Sequence, residues 1–208
     1  MVKIVLVIDD ADISLGDFFS YCVNKLKKIF FNNVTAIEFT SGKIKNDISI
    51  NVWLEQIKCN FIFIALTHGS ESELIGSNAL PYVAVDINVS YLKNSFSFCF
   101  SCNAGKVLGK EIIDKGGLCF VGHNNTVYAN NTGLWRELFS KPIVCFWEMF
   151  FSGETVFSCI NKKKDEYNRI IDKIYETDMF HAMYLLNNRD SLVVYGNGHC
   201  CFRDFECI

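Results

Sequence analysis

Phe61-Ile62-Phe63-Ile64-Ala65-Leu66 runs into Thr67-His68-Gly69, and Phe96-Ser97-Phe98-Cys99-Phe100 runs into Ser101-Cys102-Asn103-Ala104-Gly105. Each is a short, nearly unbroken apolar run stopped by small residues. Runs of this kind read as strands buried on both faces, the pattern of a parallel sheet covered by helices on either side. Open parallel sheets carry their chemistry in the crevice beyond the carboxyl ends of the strands. One of these strands delivers His68 to that edge and the other delivers Cys102. A thiol and an imidazole at neighbouring strand ends have the makings of a nucleophile and its proton acceptor.

The rest of the chain alternates in the same way. Val2 to Ile8 is a predicted first strand ending in Asp9, Asp10 and Asp12. Phe18 to Phe31 carries apolar residues at helical spacing, with Lys25, Lys27 and Lys28 near its end, where cations suit the helix dipole. A strand over Val34 to Phe39 and a helix over Ile48 to Lys58 lead into the His68 strand. Glu73 to Val85 reads as a hairpin turning at Ile75-Gly76-Ser77-Asn78-Ala79. After Cys102 come a helix over Lys106 to Asp114, opened by Gly105, and a strand over Gly117 to Val121. Helices follow over Leu134 to Phe151 and Glu154 to Tyr175, and the last strand covers Leu192 to Tyr195. Alternating strands and helices predict an α/β fold, a mostly parallel sheet covered on both faces.

Composition agrees with one compact unit over residues 1–208: half the residues are hydrophobic, 19 are Phe, and two prolines leave no linker. Net charge is −3 with no basic stripe, so nucleic acid is not an expected partner. No apolar run approaches the roughly 18 residues of a membrane-spanning helix. Lys3 to Ile8 ends in Asp9-Asp10 and not in a small-residue cleavage site, so it reads as a strand, not a leader. The expectation is a cytoplasmic protein with reduced thiols. Of ten cysteines, Cys59, Cys99, Cys119 and Cys145 sit inside apolar runs, where a free thiol behaves as a small buried hydrophobe.

These motifs, in this order, resemble the caspase-like cysteine peptidases: caspases, metacaspases, legumain, gingipains, separase and the bacterial CHAT proteases. Leu66-Thr67-His68-Gly69 is close to the caspase form, and Ser101-Cys102-Asn103-Ala104-Gly105 is nearer to bacterial members. Gly116 to Gly122 looks like the family's next strand, Phe150 to Val156 like its later helix junction, and Ser191 to Gly196 like its last strand. The likeness covers nearly the whole chain. It implies a three-layer α/β/α sandwich and a cysteine endopeptidase with a His68–Cys102 dyad that needs no cofactor and no metal. It further implies an oxyanion hole from the backbone N–H groups of Gly69 and Cys102. A protein or peptide substrate is implied too, with a regulatory protein as a second partner. Bacterial relatives work in antiviral and cell-death systems beside a partner substrate, and the Asn-, Lys-, Ile- and Phe-rich composition fits an AT-rich genome.

On the residues themselves, Cys102 falls where a strand gives way to a helix, and a helix start and a nearby imidazole both favour a thiolate. Other residues compete for roles. His123 follows a strand near the same edge and is a candidate for the cleft; His181 reads as a packed or capping residue. His199, Cys200, Cys201 and Cys207 have ligand chemistry without the paired spacing of a zinc site. Cys99 and Cys102 form a C-x-x-C, but Cys99 lies inside the strand. In the resembling family the S1 pocket lies between the end of the first strand and the catalytic strands. Asp9, Asp10 and Asp12 there would select Arg or Lys, although position 100, where basic-specific relatives carry Asp, is Phe. These aspartates read equally well as caps of the following helix or as solvent-facing residues. Two other functions stay open at this point: an interaction module with an idle dyad, and a cysteine-dependent amidase or acyl transferase.

Overall fold

The computed structural model describes residues 1–30, 34–40, 48–76 and 79–207. Its main sheet is built from β1 (Val2–Ile8), β2 (Val34–Thr40), β3 (Phe61–Leu66), β7 (Ser95–Phe100), β8 (Cys119–His123) and β9 (Leu192–Gly196), in the order β2-β1-β3-β7-β8-β9. All pairs are parallel except β8–β9, which is antiparallel. A small antiparallel sheet follows β3: β4 (His68–Gly69), β5 (Glu73–Ile75) and β6 (Pro81–Ala84). The middle of the expected hairpin turn, Ser77-Asn78, lies outside the described residues.

The unbroken apolar runs have a direct cause. On β3, Ile62, Ile64 and Leu66 face one core with Phe96, Phe98 and Phe100 of β7, beneath α1 (Gly16–Ile29), α4 (Gly133–Phe151), α5 (Val156–Ile174) and α6 (Met179–Asp190). Phe61, Phe63 and Ala65 face the other core with Cys99, Leu54 of α2 (Ile48–Glu55), and Leu108 and Ile112 of α3 (Leu108–Asp114). Successive strand side chains point to opposite faces, and both faces are covered, so every position of β3 and β7 is buried. This is an α/β/α sandwich around a mostly parallel sheet.

Three local expectations are corrected. The helix after Cys102 begins at Leu108, not near Lys106; residues 102–107 form tight turns, with Asn103 in the left-handed region at φ 59°. Gly105 is pressed against the end of β8: its N–H donates to the His123 carbonyl at 2.8 Å, and a Cβ there would meet that oxygen at 3.0 Å. The chain must turn away from β8 before a helix can start. Cys59 is not a reduced core thiol but is bonded to Cys207, 148 residues away. The pairing arises because the C-terminus returns along β1, where Val2 bridges Glu206. Finally, α6 is a full helix in a stretch to which the sequence pattern assigns no element. Among its residues Ala182, Leu185 and Asn188 are buried while Met179, Phe180 and Met183 are exposed, so no apolar stripe marks it in the sequence. Among the described residues no helix is long and apolar enough to cross a membrane.

Candidate active site

Parallel registry sets up the site. Leu66 of β3 stands beside Phe100 of β7, so His68 and Cys102, each two residues further on, leave the sheet side by side. A buried latch holds the two strand ends together. The Ser101 hydroxyl donates to the Thr67 carbonyl at 2.9 Å, and the Thr67 and Ser101 hydroxyls lie 3.1 Å apart. Gly69 continues this close approach: a Cβ there would sit 2.9 Å from both the Cys102 carbonyl oxygen and the Ser101 Cβ. Only glycine fits between β4 and the cysteine turn without displacing Cys102.

His68 and Cys102 line one narrow cleft together with Leu15, Phe19, Thr67, Phe100, Ser101, Val127 and Ala129. A larger cavity of about 380 Å³ among Tyr21, Lys25, Glu137, Cys145 and Arg169 shares none of these residues, so size alone does not mark the chemical centre. The Cys102 thiol is half-buried and meets the loop after β8: the Val127 N–H donates to Sγ at 3.3 Å, and Sγ lies 3.8 Å from the Val127 carbonyl oxygen.

The imidazole is held through Nε2. Asp12 Oδ2 lies 3.0 Å from His68 Nε2, and the Phe19 ring meets His68 edge-on, with ring centres 6.4 Å apart. The other oxygen of Asp12 accepts from the Ser14 hydroxyl at 2.7 Å and from the backbone N–H groups of Ser14 and Leu15 at 2.9 and 2.6 Å. Partial burial pushes this carboxyl up, but the bonds from Ser14, His68 and the backbone outweigh it and hold its pKa down at about 2. Asp12 is therefore ionised at neutral pH and accepts, so Nε2 carries the hydrogen of this contact.

The three aspartates after β1 take different places. Asp9 is fully buried, Asp10 is exposed, and Asp12 is spent on His68 and the turn. Asp9, Asp12 and His68 each offer a ligand atom within 4.8 Å of the others, enough for a divalent metal ion, which would displace the hydrogen on Nε2. His123 is in the core and not in the cleft: it is 1% exposed, its Nδ1 lies 2.8 Å from the Ser191 hydroxyl, and burial, then the charge of Lys163, pushes its pKa well down. His181 stacks on Trp135 and pairs with Asp178 at the start of α6. His199 is exposed and Cys207 is bonded to Cys59, so that set does not gather. Sequence reasoning missed the Asp12–His68 bond and the Thr67–Ser101 latch. Asp12-Ile13-Ser14 does carry a signal, since Asp two residues before a Ser favours a turn closed by its own side chain.

No family model matches the chain, and no curated protein matches it in sequence. Among solved structures it is similar to separase of Saccharomyces cerevisiae in the separase–securin complex, with 13% identity and a TM-score of 0.53. The match covers 94% of this chain but 12% of that one. The likeness is one of fold, and the fold is caspase-like.

Proposed function

We propose that the chain is a cysteine peptidase acting on a protein or peptide, with Cys102 as nucleophile, His68 as acid and base, and Asp12 as the group that positions His68. The observation that carries this reading is the cleft in which His68, fixed by Asp12 through Nε2, stands beside Cys102 on registered strands. The caspase-like fold supports it.

His68 Nδ1 takes the Cys102 thiol proton, and the thiolate attacks the substrate carbonyl carbon. As the C–S bond forms, the carbonyl electrons move onto oxygen, and in this reading the backbone N–H groups of Gly69 and Cys102 donate to it. The tetrahedral centre collapses to a thioester, the C–N bond breaks, and the amine leaves with the proton from Nδ1. Water then attacks the thioester, giving a proton to Nδ1. The C–S bond breaks, the acid departs, and the proton returns to sulfur. Throughout, Asp12 holds the tautomer and stabilises the imidazolium.

Brief iodoacetamide treatment at pH 6–7 tests this activation. Among the eight free cysteines, Cys102 is expected to be alkylated first. Asp12→Asn is expected to slow its alkylation roughly tenfold or more and to lower kcat/KM by about 10²–10³, because an amide can present its NH2 to Nε2 and fix the wrong tautomer. First modification at half-buried Cys201 or Cys145, or an unchanged rate in Asp12→Asn, would mean that exposure and not this constellation governs the thiol.

A further inference from the structure

We infer that the residue whose carbonyl Cys102 attacks carries a small apolar side chain, of the size of alanine, seated between Leu15, Phe19, Phe100, Val127 and Ala129. This inference rests on the peptidase reading and specifies its substrate.

The first argument is adjacency. When the acyl carbon is bonded to Sγ, the side chain one carbon further on can only fall within a few ångströms of sulfur. Among the described residues, a concavity at that distance is the cleft that His68 and Cys102 themselves line. The second argument is the chemistry of its walls. Leu15, Phe19, Phe100, Val127 and Ala129 are apolar, Thr67 and Ser101 are buried and bonded to each other, and among the described residues no carboxylate or guanidinium lines the space. An ionised side chain entering it would lose its water and meet no opposite charge. The Asp12 carboxylate, the nearest acidic group to His68 by contact, already accepts four hydrogen bonds from Ser14, Leu15 and His68. Asp9 is fully buried. The third argument is size. The cavity volume is about 20 Å³, little more than one water needs, which leaves room for a short side chain only. Phe100 and Phe19, 3% and 2% exposed, are core residues that cannot swing aside to enlarge it. The inferred selection is by shape and hydrophobicity, in place of the cation preference that Asp9, Asp10 and Asp12 suggest.

The test is a panel of peptidyl acyloxymethyl ketones identical except for Ala, Leu, Asp or Arg at P1, with labelling of Cys102 followed by mass spectrometry on the full chain. The Ala probe is expected to react at least about thirtyfold faster than the Arg and Asp probes, the scale on which a dry apolar pocket rejects charge. It is also expected to react faster than the Leu probe. Leu15→Ala, which removes one wall, is expected to raise the Leu-to-Ala rate ratio several-fold. Fastest labelling by the Arg, Asp or Leu probe, or a ratio unchanged in Leu15→Ala, overturns the inference while leaving the peptidase reading standing. Failure of every probe to label a Cys102 that iodoacetamide still modifies overturns both.

Discussion

Cys102→Ala is expected to lower peptide hydrolysis by at least about 10⁴-fold while leaving the fold intact, because the substitution removes the atom that forms the acyl bond. The side chain is half-buried at a turn and makes only weak sulfur contacts with Val127, so little packing is lost. His68→Ala is expected to cause a loss of similar size, and the double variant no more than either alone, since the two residues act as one unit. Cys99→Ala serves as the contrast. That thiol is fully buried and burial pushes its pKa far up, so its removal costs stability and leaves the rate per folded molecule unchanged. Initial rates on a fluorogenic peptide, paired with thermal melts, separate the two behaviours. A Cys102→Ala protein that retains more than a few per cent of wild-type turnover removes the assignment.

Lys163→Met is expected to stabilise the protein by about 2–4 kcal/mol at pH 7 or below, which for a chain of this length is a rise in Tm of roughly 5–15 °C. Lys163 on α5 is fully buried, with Nζ 4.6 Å from the centre of the Phe98 ring and no hydrogen-bond partner among the described residues. Burial lowers its pKa to about 7, against a small opposing influence of Cys145 and Cys22. A lysine whose folded pKa is depressed imposes no penalty above its unfolded value near 10.5. The penalty grows as pH falls from there to about 7 and is constant below. The advantage of Lys163→Met therefore narrows as pH rises from 7 towards 10. Buried His123 is also depressed, in part by the charge of Lys163, so its penalty below about pH 6.5 eases in Lys163→Met and widens the gap at the acid end. Melts at pH 6.5 and 9.5 decide the matter; a destabilised Lys163→Met, or a gap equal at both pH values, contradicts the account.

What the sequence disclosed and what it withheld follow from the range of the forces involved. β3 and β7 were legible because strands buried on both faces must be apolar at every position, and Phe61–Leu66 and Ser95–Phe100 nearly are. His68 and Cys102 were legible as candidates because each ends such a strand. Their positioning was not. Asp12 reaches His68 across 56 residues of sequence, and its neighbours Asp9 and Asp10 look identical to it in a string of letters. The Thr67–Ser101 latch likewise needs the β3–β7 registry before the two hydroxyls become neighbours. The Cys59–Cys207 bond depends on how the C-terminus returns to β1, which no local pattern encodes. The start of α3 was misplaced because the pressure of Gly105 on His123 is a tertiary contact that overrides a stretch otherwise suited to a helix. α6 stayed hidden since its exposed Met179, Phe180 and Met183 mask the period of its buried side.

The measurement that bears most directly on the central claim is intact-mass analysis of the wild-type chain, acid-quenched during turnover of a short peptidyl p-nitrophenyl ester, followed by mapping of the modified peptide. The account predicts one acyl group, carried as a thioester on Cys102, formed in a burst and absent from Cys102→Ala. Product formation with the acyl group on another residue, or with no acylated protein while Cys102→Ala turns over equally fast, would contradict it.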